Sequence, residues 1–147
     1  MAKLIAKIAV AAATYGIDKP YDYLVPKELA DRINVGTRVS VPFGKGNRRS
    51  EGVVLAVSES STIDELKSVL SILDEERVLS AEQVKLALFM RERFFCTVYD
   101  AVRAILPAGL WFDLKGKRKA NDKTVEIATL AISGEEAAAL AKNGPRA

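Results

Sequence analysis

The hydrophobic pattern of this chain changes period near Ser80, and that switch decides the fold class. Before it, apolar residues alternate with polar ones or run in short stretches ended by Gly, Pro or Asn, as strands require. After it, Val84, Ala87 and Leu88, and then Val98, Val102, Ile105 and Leu106, recur at helical spacing. Strands followed by helices, with no alternating βαβ series, define an α+β fold.

Residues 4–13 are apolar apart from Lys7, which suits a covered first strand ending near Thr14, Tyr15 and Gly16. Asp18-Lys19-Pro20 reads as a turn, and residues 21–25 as a second strand stopped by Pro26. Residues 26–31 form either one helical turn or a polar loop, and Asn34-Val35-Gly36 reverses the chain. Residues 37–43 alternate, so Val39, Val41 and Phe43 share one face and water takes the other. A glycine-rich basic tip at residues 44–50 leads into a strand over 51–58, and residues 66–73 supply one more. About five short strands with tight turns suggest a barrel or a sandwich, and a small, mostly antiparallel, OB-like β-barrel is the expectation.

Ser80 with Gln83 forms a capping box that opens a helix through about Phe94. Thr97 caps a second helix, ended by Pro107 and Gly109, and the two-helix pair is expected to pack on the barrel. Beyond Leu110 the chain turns polar and basic, with Lys115, Lys117, Arg118 and Lys119 close together in a connector. Residues 124–132 suit a strand, and Ser133 with Glu136 caps a helix that stops at Asn143-Gly144-Pro145. A strand and one short helix cannot bury a core. Residues 1–110 are therefore expected to be one domain, and 111–147 a linker with the partial start of a second.

With 49% apolar and 28% charged residues, the chain is globular. It has no histidine and a single cysteine, Cys96, which excludes a zinc site of the Cys/His type and both Ser-His-Asp and Cys-His catalysis. No apolar run reaches the roughly 20 residues of a membrane span. The expectation is a cytoplasmic protein with no membrane contact. A net charge of +3 and a pI near 9.0 are compatible with a nucleic-acid partner without requiring one.

The unusual stretch is Tyr21-Asp22-Tyr23-Leu24-Val25-Pro26, because strands disfavour aspartate. Alternation points Tyr21, Tyr23 and Val25 one way and Asp22 the other, outward or into a pocket. Asp22 then either accepts from a ligand hydroxyl or amine, or bonds nearby backbone as an Asx turn. The tip is not a P-loop, since its glycines precede Asn47 and a strand rather than Lys-Ser/Thr and a helix. Its cations Lys45, Arg48 and Arg49 either meet a phosphate backbone or are simply solvated. The run at 115–119 reads better as solvated linker. Asp18 and Asp22 lack the nucleophile, metal or pocket that an acid–base pair needs. Cys96 reads as a small buried residue rather than a reactive thiol.

The order of these pieces resembles the N-terminal 3′-end DNA-binding region of the primosomal replication-restart helicases, the PriA family. The resemblance rests on Asp18-Lys-Pro-Tyr-Asp-Tyr-Leu-Val-Pro26, on Gly36-Thr-Arg-Val-Ser-Val-Pro-Phe-Gly44 with Lys45-Gly-Asn-Arg-Arg49 behind it, and on Gly52-Val-Val54. Glu65-Leu-Lys67 and the run Phe94-Phe-Cys-Thr-Val-Tyr-Asp-Ala-Val-Arg-Ala-Ile-Leu-Pro-Ala-Gly-Leu110 extend it over nearly all of residues 3–112. It implies a module that captures the 3′ terminus of a nascent strand at a stalled fork. The terminus pocket falls on Asp22, on the backbone at Tyr21 and Tyr23, on Gly44 and on Lys67. Tyr21 stands where many relatives have Phe, which leaves a backbone contact unchanged.

The same resemblance implies a winged helix after residue 110, then a helicase motor with ATP and Mg sites and a zinc-binding insertion. None of those later parts is in this sequence, so the fragment itself is expected to be no enzyme and to hold no cofactor. Single-stranded DNA-binding protein and other primosome proteins are implied partners, at the nucleoid. The competing reading is a β-barrel protein-interaction module with no preference for DNA ends. Asp22 argues against its capturing a peptide carboxylate, because like charges repel.

Overall fold

A computed structural model describes residues 3–60, 64–107 and 133–143. Five strands come first: β1 (Ile5–Val10), β2 (Tyr21–Leu24), β3 (Arg38–Phe43), β4 (Arg48–Ser58) and β5 (Ser71–Ile72). Helices α1 (Ala81–Arg93) and α2 (Val98–Ile105) follow, so the α+β order expected from the period switch is present. The strands form one antiparallel sheet in the order β2-β1-β4-β3-β5.

Pairing leaves this sheet open. Its two sides approach at one isolated parallel bridge, Leu24 to Ser68, where the Leu24 N–H donates to the Lys67 carbonyl at 2.8 Å and the Val69 N–H to the Leu24 carbonyl at 2.9 Å. The strand expected over 66–73 thus shrinks to that bridge and the two residues of β5. A register shift between Lys7 and Ile8 leaves Leu55 of β4 without an opposite residue. Such a bulge increases local twist and bends the strand.

Alternation sorts the strand residues into two cores. Ala6, Ile8, Val10, Tyr23, Val25, Val39, Val41 and Val54 fill the inner one with Ile33 and Val69. Ala9, Val53 and Leu55 face the other way and meet Val84 and Ala87 of α1 and Val98, Tyr99, Ala101 and Val102 of α2. Each fully buried valine contributes about 1.5–3 kcal/mol.

Burial on both sides corrects one expectation. Arg38 and Ser40, placed on a wet face by the alternation of residues 37–43, are 0% exposed. The Arg38 guanidinium instead donates to both Asp74 oxygens, at 2.9 and 3.0 Å, and lies 3.7 Å from Glu51, which accepts from the Tyr99 hydroxyl at 2.7 Å. This buried polar group joins β3, β4 and α2. Burial, with that carboxylate behind it, pushes the Tyr99 hydroxyl well above its ordinary pKa.

The helices begin where their caps dictate. Ser80 and Gln83 exchange both bonds of a capping box, and Thr97 and Asp100 do the same for α2. The approach to α1 rests on Gly36, whose carbonyl accepts from Val78 and Leu79. Gly36 has φ +88°, and a Cβ there would collide with the Leu79 carbonyl oxygen, so only glycine fits.

Residues 133–143 carry the third capping box, with Ser133 and Glu136 bonded reciprocally at the start of α3 (Gly134–Asn143). The connector, the basic run at 115–119 and the strand expected over 124–132 lie outside the described residues.

Candidate nucleic-acid interface

Strand β2 lies at the edge of the sheet, and its alternation separates its side chains as the sequence predicts. Tyr23 is buried and donates its hydroxyl to the Pro42 carbonyl at 3.0 Å; burial pushes its pKa up to about 12. Tyr21 packs against the inner core, edge-on to Phe43 at 5.1 Å between ring centroids, and its hydroxyl donates to the Ile17 carbonyl at 2.6 Å. Asp22, on the opposite face, sits across from Lys7 in register, with Lys7 Nζ 2.9 Å from Oδ1.

Strand geometry also directs the Asp22 backbone. Leu24 uses its N–H and carbonyl on the outer edge, toward residues 67 and 69, while Val25 donates inward to Leu4. Backbone groups in a strand alternate in direction, so Asp22 turns its own N–H and carbonyl outward.

A cavity of about 470 Å³ opens beside this edge, lined by Ile17, Tyr21, Asp22, Tyr23 and Phe43 and closed by the tip and by residues 65–67. Tyr21, Asp22, Tyr23, Gly44 and Lys67, from three separate stretches of sequence, all line it. Lys67 Nζ donates to the Gly44 carbonyl at 2.7 Å and thereby ties two walls together. Gly44 has φ +71° and open space where a Cβ would be, so the turn needs glycine for its backbone angle rather than for room.

The tip cations divide. Lys45 lines the cavity, whereas Arg48 and Arg49 are the first residues of β4 and do not. Arg49 is held along the sheet by the Ser40 and Ser71 hydroxyls, at 2.7 and 3.3 Å. Sequence reasoning missed Lys7, Ile17 and Phe43 as companions of Asp22. Lys7 left a signal, as the one charge in an otherwise apolar first strand.

Asp18 serves another purpose. Its buried carboxylate accepts from Arg91 Nε at 2.7 Å and from the Val98 N–H at 2.9 Å, joining the turn before β2 to both helices. It is therefore no acid–base partner for Asp22. Cys96 is half-buried, its thiol 3.7 Å from the Met90 carbonyl. No group of acidic or Cys side chains among the described residues could hold a metal ion.

Chemically, the cavity offers the carboxylates of Asp22 and Glu65, the ammonium groups of Lys45 and Lys67, aromatic and aliphatic walls, and the edge of β2. That combination suits a small polar group carried on a flat ring. The class that the fold and this cavity define is an α+β binding module with a pocket beside its edge strand. Residues 7–107 match the family model for the PriA 3′DNA-binding domain (3′BD), and the chain belongs to that family. It is 36% identical over 107 residues to the replication restart protein PriA of Bacillus subtilis (strain 168), a match covering 71% of this chain and 13% of that protein. With the protein of the same name from Chlamydia muridarum the identity is 27% over 109 residues, covering 71% of this chain and 14% of the relative. The matched region is thus a small part of each relative's length.

Proposed function

We propose that this chain binds single-stranded or forked DNA by capturing the free 3′-OH end of a nascent strand, largely independently of sequence, as part of replication restart. The observation that carries this reading is the convergence of Asp22, Gly44 and Lys67 on one cavity, in a chain of the 3′DNA-binding domain family. A terminal hydroxyl donates a hydrogen bond to the Asp22 carboxylate. A continuing strand puts a charged phosphate in its place, and the carboxylate repels it. The outward Asp22 backbone and the Lys67 ammonium meet sugar and phosphate, which every nucleotide presents alike.

On the same reading the fold is an OB-like barrel with its helix pair, and residues 111–147 lead toward a winged helix. The chain is a non-catalytic module of a DNA helicase whose ATP, Mg and zinc sites lie outside it. Single-stranded DNA-binding protein and primosome proteins are its partners, at the nucleoid. No helix among the described residues is long and apolar enough to cross a membrane.

The test compares oligonucleotides ending in 3′-OH or 3′-phosphate. A hydrogen bond to a charged group contributes about 1.5–3 kcal/mol, so the parent should prefer the hydroxyl by roughly ten- to a hundredfold. Asp22→Ala should bind both alike, and Asp22→Asn should keep the hydroxyl while tolerating phosphate better. Equal affinity of the parent for the two ends would overturn the proposal.

A further inference from the structure

Outside the cavity, the described surface carries one conspicuous aromatic group. Phe95 is 88% exposed and Phe94 61%. Phe95 does not hang free: its ring stacks on Tyr15, with centroids 4.2 Å apart and planes 20° from parallel. The Arg91 guanidinium lies 4.1 Å from the same Tyr15 ring and is anchored by Asp18, and Arg93 approaches the ring of Phe89 at 5.9 Å. A column of ring, ring and guanidinium is therefore already assembled, one ring in it almost wholly open to solvent.

Its position relates it to the cavity. Tyr15 begins the 3₁₀ turn Tyr15–Ile17, and Ile17 lines the cavity wall. Two residues of a 3₁₀ turn advance about 4 Å along its axis. The column thus begins about one 3₁₀ turn from the cavity wall, with Phe95 stacked on its first ring.

We propose that Phe95 is a stacking platform for a base of the single strand upstream of its captured 3′ terminus, with Arg93 facing the adjoining phosphates. This inference rests on the end-capture reading of the cavity. Nucleic acid suits the surface better than a protein partner does, because Arg91 and Arg93 each lie against an aromatic ring of the group. An aromatic face accepts any base, in keeping with sequence-independent binding, and arginine beside aromatic rings is the usual accompaniment of single-strand grooves.

The experiment uses the 147-residue chain, a thymidine dinucleotide and a thymidine homopolymer of about 12 nucleotides, each ending in 3′-OH or 3′-phosphate. Phe95→Ala should weaken the homopolymer by about five- to 150-fold, the loss expected for one stacked base, and leave the dinucleotide unchanged. Phe95→Trp should restore binding, and its indole emission should be quenched by the homopolymer beyond any change in the parent's Trp111. If Phe95→Ala binds the homopolymer as the parent does, or alters self-association instead of affinity, the platform is overturned. If neither ligand distinguishes its 3′ end while Phe95→Ala still weakens the homopolymer, the end-capture reading fails and the stacking contact stands.

Discussion

Lys7 Nζ lies 2.9 Å from Asp22 Oδ1 across two neighbouring strands, with the lysine 45% exposed and the carboxylate 7%. The acceptor proposed to read a DNA end is thus already partly neutralised. A phosphate approaching Asp22 meets less repulsion than a lone carboxylate would exert, and discrimination is correspondingly blunted.

Lys7→Met should therefore sharpen the preference for 3′-OH over 3′-phosphate. Lys7 is nearly half exposed and solvent screens its charge, so the gain should be about two- to fivefold. Competition binding with the two oligonucleotides reads it directly; a preference that falls would mean Lys7 positions the carboxylate rather than screening it.

The tip residues should separate in their salt dependence. Lys45→Ala should reduce the slope of log affinity against log salt by about 1, as expected for one lost phosphate contact. Arg49→Ala should also cost about 1 kcal/mol of stability, because it removes the donor to Ser40 and Ser71. Chemical denaturation beside a salt titration distinguishes them, and equal stability of the two variants would contradict the structural role of Arg49.

Arg38→Met should destabilise the domain by about 3–5 kcal/mol, since it strands the Asp74 and Glu51 carboxylates in the interior. Adding Asp74→Asn should recover part of the loss. Urea unfolding of the single and double variants would test this, and strict additivity of the two substitutions would argue against a shared network.

Alkaline pH should loosen the fold through its buried tyrosines. Tyr23 titrates near 12 in the folded chain against an ordinary value of 10.0, and Tyr99 is raised as well. A raised folded pKa means the unfolded chain releases its proton first, so this stabilisation is complete below about pH 10 and is lost as pH rises toward 12. Tyr23 accounts for about 2–3 kcal/mol of it. Denaturant midpoints measured from about pH 9 to 11.5 should fall less steeply in Tyr23→Phe, and parallel declines would place the effect elsewhere.

What could be read from the sequence was local or periodic. Capping boxes at Ser80 and Ser133 and the cap at Thr97 announce helix starts within a few residues of chain, and all three helices begin there; that Thr97 also forms a box with Asp100 is seen only in the structure. The opposed faces of Tyr21 and Asp22 follow from a period of two. Arg38 was misplaced because nothing within its own strand shows that a helix pair covers the second face, or that its partner Asp74 lies 36 residues on. Lys67 and Gly44, 23 residues apart, were singled out by family resemblance; their mutual hydrogen bond needed coordinates. Within the sequence Lys7 is only an interruption of an apolar run, since register across β1 and β2 is set by the turn and core together.

Asp18 holds the first residue of α2 and the last turn of α1 from the residue next to Ile17, which lines the cavity. A surface turn of three residues would ordinarily be among the first parts of a protein to breathe. Here it is riveted to the helix pair, so that side of the cavity has the stiffness of the helical layer. The opposing wall, a four-residue hairpin turn latched by a single lysine, is the compliant one, and a ligand entering the cavity works against one yielding jaw and one fixed one.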